Sequence, residues 1–120
     1  MCIRDSKERE QFGRPIAKFQ NTQFKLAEMA IDIESARHLV YKAATLKDSG
    51  ESYTVAAAEA KLKAARVAMD VTTKAVQLFG GYGYSKEYEV ERMMRDAKIT
   101  EIYEGTSEVM LMVVGGSLLR

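Results

Sequence analysis

The chain is poor in the residues that staple or break a fold. Among its 120 residues there is one cysteine, Cys2, one proline, Pro15, one histidine, His38, and no tryptophan. A single cysteine closes no internal disulfide, which favours a reducing compartment. A lone histidine builds no metal site without further ligands, and none accompany it. Neither sign of charge dominates: 18 Lys and Arg stand against 17 Asp and Glu, a formal net charge of +1. With no long block of either sign, the pattern argues against nucleic acid and against an anionic membrane as partners. The apolar runs are a few residues long, whereas a bilayer span needs roughly 20.

What is present is apolar surface at helical spacing. Hydrophobic residues make up 47% of the chain, enough for one domain with a core. "FGRP" reads as a helix stop followed by Pro15 in the first turn of the next helix. Leu26, Ala30, Ile33, Ala36, Val40 and Ala43 then recur in steps of three and four, as one stripe of a long helix. "KDSGES" ends it, with Gly50 as C-terminal cap and Ser52 or Thr54 as the next N-cap. A second stripe runs through Ala57, Ala60, Ala64, Ala68, Val71, Ala75 and Leu78. Its alanines let helix axes approach closely, which puts this helix in the middle of a bundle. "QLFGGYGY" stops it, "EVERMMRDAKITEIY" suits a short helix, and Thr106, Ser107 and Glu108 open a last one that Gly115 and Gly116 weaken. No strand pattern stands out. The expected fold is all-α, an antiparallel up-down bundle of the four-helix type whose first helix is truncated. Residues 1–6, "MCIRDS", carry no secretory pattern and fit poorly with the helix end at "KEREQFGRP", so the reading is a doubtful leader before a domain at 7–120, with upstream sequence absent.

Several positions can carry chemistry, each beside a plainer reading. "GGYG" comes after a helix rather than a strand, so the dinucleotide fingerprint fails on context. It can still bring bare backbone to a ligand, or simply turn the chain. Arg9, Arg14 and Gln20 gather where a guanidinium can grip a phosphate, as ordinary helix ends also do. Tyr82, Tyr84 and Tyr88 can stack on a ligand or pack a turn, and the seven methionines suit a core. Glu104 is different in kind. It sits in "IYEGTSE" between an aromatic ring and a glycine, where Ile102 and Tyr103 offer apolar surroundings that favour a proton-accepting carboxylate. Gly105 lets a carbonyl approach the backbone, although a glutamate at a helix junction also serves as a simple cap.

"REQFGRPIAKFQ", "QLFGGYGY" and "RDAKITEIYEGTSE", in this order and at this spacing, resemble the C-terminal domain of acyl-CoA dehydrogenases over residues 7–120. "FQNTQFKLAEMAIDIESARHL" is most similar to the short-chain, butyryl-CoA type. The resemblance implies FAD as cofactor and α,β-dehydrogenation of an acyl-CoA to its trans-2-enoyl form, with Glu104 as the base and Gly105 at the thioester. It implies FAD contacts at Arg9 and Gln20, at Gln77, Leu78, Phe79, Gly80 and Gly81 toward a neighbouring subunit, and at Thr106, Ser107 and Glu108. A side chain at Gly81 is expected to bar that approach. The resemblance further implies an electron-transfer flavoprotein as acceptor and a homotetramer built as a dimer of dimers. It places the protein in a bacterial cytoplasm or, in a eukaryote, the mitochondrial matrix. Isovaleryl and long-chain relatives carry the base on another helix, but this chain keeps the usual "YEGT". The competing reading is a flavin-free helical bundle that serves only as an interaction module, which has no use for Glu104, the double glycine and Arg9 together.

Overall fold

A computed structural model describes residues 1–120. Six helices succeed one another: α1 Cys2–Glu8, α2 Gln20–Asp48, α3 Thr54–Phe79, α4 Gly81–Tyr84, α5 Val90–Ile99 and α6 Ser107–Leu118. Two of them dominate. α2 has 29 residues and α3 has 26, so at ~1.5 Å rise per residue they run about 43 and 39 Å. They form an antiparallel hairpin, and three charge pairs record its direction: Lys42 with Glu59 at 3.7 Å, Asp32 with Lys63 at 3.1 Å and Glu28 with Lys74 at 3.9 Å. All three are partly solvated and worth roughly 0–1 kcal/mol each, so they mark register more than they add stability.

α3 is the central helix, as its alanines predict. It packs against α2 on one side and against α5 and α6 elsewhere, with α1 and α4 near its C-terminal end. Ala56, Ala58, Ala60, Ala65, Val67, Ala75, Leu78 and Phe79 are buried along it. Near its end, Ala75, Phe79 and Val90 form a small cluster on which Cys2 and Val76 also pack. α1 joins this end of the domain, with Ser6 fully buried.

Four expectations need correction. The all-α class holds, but six helices replace three long ones and a short one, and a minimal antiparallel hairpin joins α1 to α2. Its strands, β1 Glu10–Gln11 and β2 Arg14–Pro15, pair Glu10 with Pro15 and Gln11 with Arg14. Phe12 (φ 55°) and Gly13 (φ 77°) form its two-residue turn, since positive φ at both turn positions matches the strand twist. Pro15 is therefore a strand residue, and a 3-10 turn at Ile16–Lys18 precedes α2. Second, the α2 stripe is half right. Ala36 is buried and Leu26 and Ala43 are half-buried, but Ala30, Ile33 and Val40 are exposed while Thr22 and Met29 are inside. α2 is apolar on two faces, and periodicity alone does not say which one α3 covers. Third, neither Ser52 nor Thr54 caps α3. Tyr53 holds the N-cap position without a side-chain bond, while Gly50 (φ 75°) does lie beyond the α2 end as expected. Fourth, α6 continues through Gly115 and Gly116 to Leu118, and nothing in the chain crowds either glycine.

Only 16 residues are buried, and Phe24, Ile31, Ile33, Val40 and Tyr41 of α2 lie open, as do Leu111, Met112, Leu118 and Leu119 at the α6 end. Exposed apolar side chains of this number are what interaction faces present.

Candidate active site

Glu104 lies in the loop between α5 and α6, and the backbone there is unusual. Its φ is +53° and that of Gly105 is +94°. A glutamate gains nothing by itself from the left-handed region, which costs an L-residue roughly 1–2 kcal/mol. Such strain persists where surrounding structure fixes it and collects at functional sites. The loop is fixed from both ends. Tyr103 N–H donates to Ile99 O at 3.0 Å, Ser107 N–H donates to Glu101 O at 3.0 Å, and Thr106 caps α6 by accepting from Val109 N–H at 3.4 Å. In between, neither the Glu104 N–H nor the Gly105 N–H has an acceptor within the chain. Two adjacent free donors beside a carboxylate are what a carbonyl-containing ligand needs.

The Glu104 side chain borders a cleft of about 350 Å³ lined also by Tyr53, Thr54, Ala57, Ala58, Lys61, Met110 and Val113. The apolar environment predicted for Glu104 exists, but from other residues than expected. Ile102 and Tyr103 are each 52% exposed and line no part of this cleft, and Glu104 itself is exposed. The enclosure begins with Ala57, Ala58, Met110 and Val113, contributed by α3 and α6. Gly105 is the tight position in the turn, because a Cβ there would stand 2.6 Å from the Met110 Cε.

The residues predicted to touch a cofactor separate into two further clefts. Thr106, Ser107 and Glu108 line one of about 290 Å³ with Arg66, Lys98, Glu101 and Ile102. There Ser107 Oγ is buried without a hydrogen-bond partner. The backbone N–H of Glu108 and the Thr106 hydroxyl hold the Glu108 carboxyl below the usual range, as expected for an acid in the first turn of a helix. Arg9, Gln77, Leu78 and Gly80 line the other, about 390 Å³, together with Phe12, Ile16, Phe19 and Lys25. Arg9 Nη1 donates to Leu78 O at 2.8 Å. Neither Arg9 nor Lys25 has a carboxylate within ion-pair distance, so this cleft offers uncompensated positive charge to an anion.

Three of the predicted contacts are placed differently. Gln20 is exposed and outside that cleft, the first residue of α2. Phe79 is 4% exposed and belongs to the core cluster, where its ring meets Tyr88 edge-on at 6.0 Å, so only its backbone is free to meet a ligand. Gly81 is not the crowded glycine, since nothing lies within 4 Å of a Cβ built on it. Gly80 is: at φ 61° and ψ −139°, a Cβ would fall 2.5 Å from Arg9 Nη2 and 2.9 Å from Nη1. Arg14 is engaged elsewhere, stacked 4.1 Å above the Phe19 ring. Sequence reasoning missed Lys25 and Lys61, because charged residues on a helix read as a solvated face unless their tertiary neighbours are known.

This is a helical domain with an apolar cleft at a strained carboxylate, a polar cleft at a helix start and a cationic, partly apolar cleft beside a glycine pair. The family profile described as acyl-CoA dehydrogenase, C-terminal domain, matches residues 1–119, and the chain belongs to that family. It is 69% identical over 114 residues to the short-chain specific acyl-CoA dehydrogenase of Clostridium acetobutylicum, a match that covers 95% of this chain and 30% of that relative. Among solved structures, the butyryl-CoA dehydrogenase of Megasphaera elsdenii superposes with a TM-score of 0.98 at 64% identity, over 99% of this chain and 31% of that one. A chain from a structure of the electron transferring flavoprotein of Acidaminococcus fermentans superposes at 0.97 with 60% identity, again over 99% and 31%. The chain thus spans less than a third of the length of these relatives.

Proposed function

We propose that this chain is the C-terminal domain of an FAD-dependent acyl-CoA dehydrogenase acting on a short-chain acyl-CoA. The observation that carries the reading is the Glu104–Gly105 turn: a carboxylate held at positive φ on an apolar cleft, next to two backbone N–H groups with no acceptor in the chain. Glu104 accepts the α-proton of the thioester, and the free N–H groups take its carbonyl oxygen. The α-proton is weakly acidic, and hydrogen bonds to the carbonyl oxygen stabilise the charge that builds there as the proton leaves. Flavin, when bound, supplies the acceptor for the β-hydrogen.

The residues present fit such a cofactor. Ser107 Oγ has no hydrogen-bond partner and neither Arg9 nor Lys25 has a carboxylate within 4.0 Å, and a dinucleotide with a diphosphate calls for donors and cations. Thr106, Ser107 and Glu108 would hold one part of it, and Arg9, Gln77, Leu78 and the Gly80–Gly81 backbone another. These groups line two separate clefts of the one chain. That supports a homo-oligomer, a dimer of dimers, in which neighbouring subunits share each cofactor, and the uncovered apolar faces of α2 and α6 suit such assembly. A bacterial cytoplasmic enzyme with an electron-transfer flavoprotein as acceptor completes the proposal. It is consistent with helices none of which is long and apolar enough to cross a membrane.

The test is Glu104→Gln in the full-length flavoprotein. The amide keeps the shape of the carboxylate but accepts no α-proton, so flavin content and acyl-CoA affinity should persist. Anaerobic single-turnover bleaching by butyryl-CoA should slow by about 10²- to 10⁴-fold or more. Bleaching within about tenfold of the parent rate would place the base elsewhere.

A further inference from the structure

We infer that Lys61 is a positioning residue that holds the Glu104–Gly105 turn in its working conformation. This inference rests on the reading of Glu104 as the base. Lys61 reaches across from the first third of α3, 44 residues away in sequence, and its ammonium donates to the carbonyl oxygen of Gly105. It is the one side chain whose hydrogen bond ties this loop to α3, since the other bonds that shape the loop run among residues 97–110. Lys61 also borders the same cleft as Glu104, which Ala57, Ala58 and Met110 line as well. No carboxylate lies within 4.0 Å of its nitrogen, so the charge is committed to the peptide.

The physical need is plain. Two consecutive residues at φ 53° and 94° are a conformation the local sequence does not prefer at Glu104, and an unrestrained turn would relax toward negative φ. Relaxation would swing the carboxylate and both free N–H groups together, because all three hang on the same two peptide units. The Gly105 carbonyl is the acceptor on this strained segment, and a half-buried ammonium is a strong, reorientable donor for it. Lys61 has no other partner that would account for a cation at this depth. A displacement of about 1 Å in a catalytic group costs on the order of 10²-fold in rate, so the tether acts on the chemistry through Glu104 rather than on substrate directly.

The experiment uses the full-length flavoprotein with Lys61→Met, which keeps the apolar stem and removes the donor, and Lys61→Arg, which restores a cationic donor. Two readouts are taken: anaerobic flavin reduction by butyryl-CoA over a range of concentrations, and amide hydrogen exchange, by mass spectrometry, of the peptide spanning residues 100–110. Lys61→Met should lower the limiting reduction rate by about 10- to 100-fold, keep the half-saturating butyryl-CoA concentration within about threefold and speed exchange in that peptide. Lys61→Arg should recover most of both. Unchanged exchange in Lys61→Met, or loss of flavin and helix content that Lys61→Arg does not recover, overturns the positioning role. The exchange arm judges Lys61 and the Glu104→Gln variant judges the base, so the two readings fail separately.

Discussion

"GGYG" at 80–83 contains three glycines whose replacement by alanine should have three different outcomes. At Gly80 the backbone lies at φ 61° and ψ −139°, a combination costing an L-residue roughly 1–3 kcal/mol. The added Cβ would also stand 2.5 Å from Arg9 Nη2 and 3.1 Å from its Cζ. A side-chain end can move, so the clash itself is cheap. What moves with it is the Arg9 bond to the Leu78 carbonyl at 2.8 Å, a charged, partly buried bond worth about 1–2 kcal/mol after water returns some of it. Gly80→Ala should therefore destabilise the chain by about 2–5 kcal/mol. Gly81 has no positive φ and open space around its Cβ, and it starts α4. Alanine there should be neutral or slightly stabilising, within about 1 kcal/mol. At Gly83 the Cβ would lie 2.5 Å from the Val76 carbonyl oxygen and 2.7 Å from the Phe79 Cβ, atoms of backbone and core that yield only if α4 leaves α3. That substitution should be the worst of the three.

The assay is guanidinium unfolding, read by helical circular dichroism, with each alanine also made in an Arg9→Ala background. Arg9 removal should recover about 1 kcal/mol of the Gly80→Ala loss and none of the Gly83→Ala loss, because only the former involves the guanidinium. A Gly80→Ala chain as stable as Gly81→Ala, or a Gly80 penalty independent of Arg9, would refute the reasoning.

The same geometry dictates two further outcomes. Arg9→Met in the full-length protein should weaken flavin retention and subunit assembly together, read by flavin absorbance after gel filtration and by the elution volume itself; full flavin content would reduce Arg9 to a clasp on Leu78. Glu108 should titrate below an ordinary glutamate, since its own backbone N–H and then the Thr106 hydroxyl favour the charged form. A carboxyl lowered in the folded state stabilises α6 above the unfolded value, about 4.3, and loses that contribution as pH falls through the folded one. Carbon-detected titration of Glu108, and a flatter acid limb of α6 stability in Glu108→Gln, check the sign.

The helices are legible in the sequence because periodicity and glycine stops are local. Ala60, Ala75 and Leu78 are buried where their spacing puts them, and α3 ends at Gly80 as the double glycine demands. The hairpin at Glu10–Pro15 is not legible. Phe12 at φ 55° and 94% exposed is a poor turn residue by propensity, and only the pairing of the two short strands around it reveals the turn. The inner face of α2 escapes for a related reason. A helix that is apolar on two sides carries two valid stripes, and choosing between them takes knowledge of what α3 presents.

The loop at 102–108 shows how far local chemistry reaches and where it stops. An acid beside a glycine, an aromatic and a helix start marks Glu104 as a candidate base, and the fold does put it on an apolar cleft. Yet the neighbours that draw attention, Ile102 and Tyr103, are each half exposed. The groups that shape the cleft come from the start of α3, through Ala57 and Ala58, and from α6, through Met110 and Val113. Only tertiary structure brings Lys61 to the Gly105 carbonyl, and only backbone geometry shows that Glu104 is held at positive φ. A motif of this kind therefore marks the candidate atoms, while their orientation is set by helices whose sequence contains no sign of them. The exposed apolar side chains at 102, 103, 111 and 112 extend the same logic outward. They flank the proposed base in sequence and stand open on the surface, and proton abstraction by Glu104 would call for a dry enclosure over them.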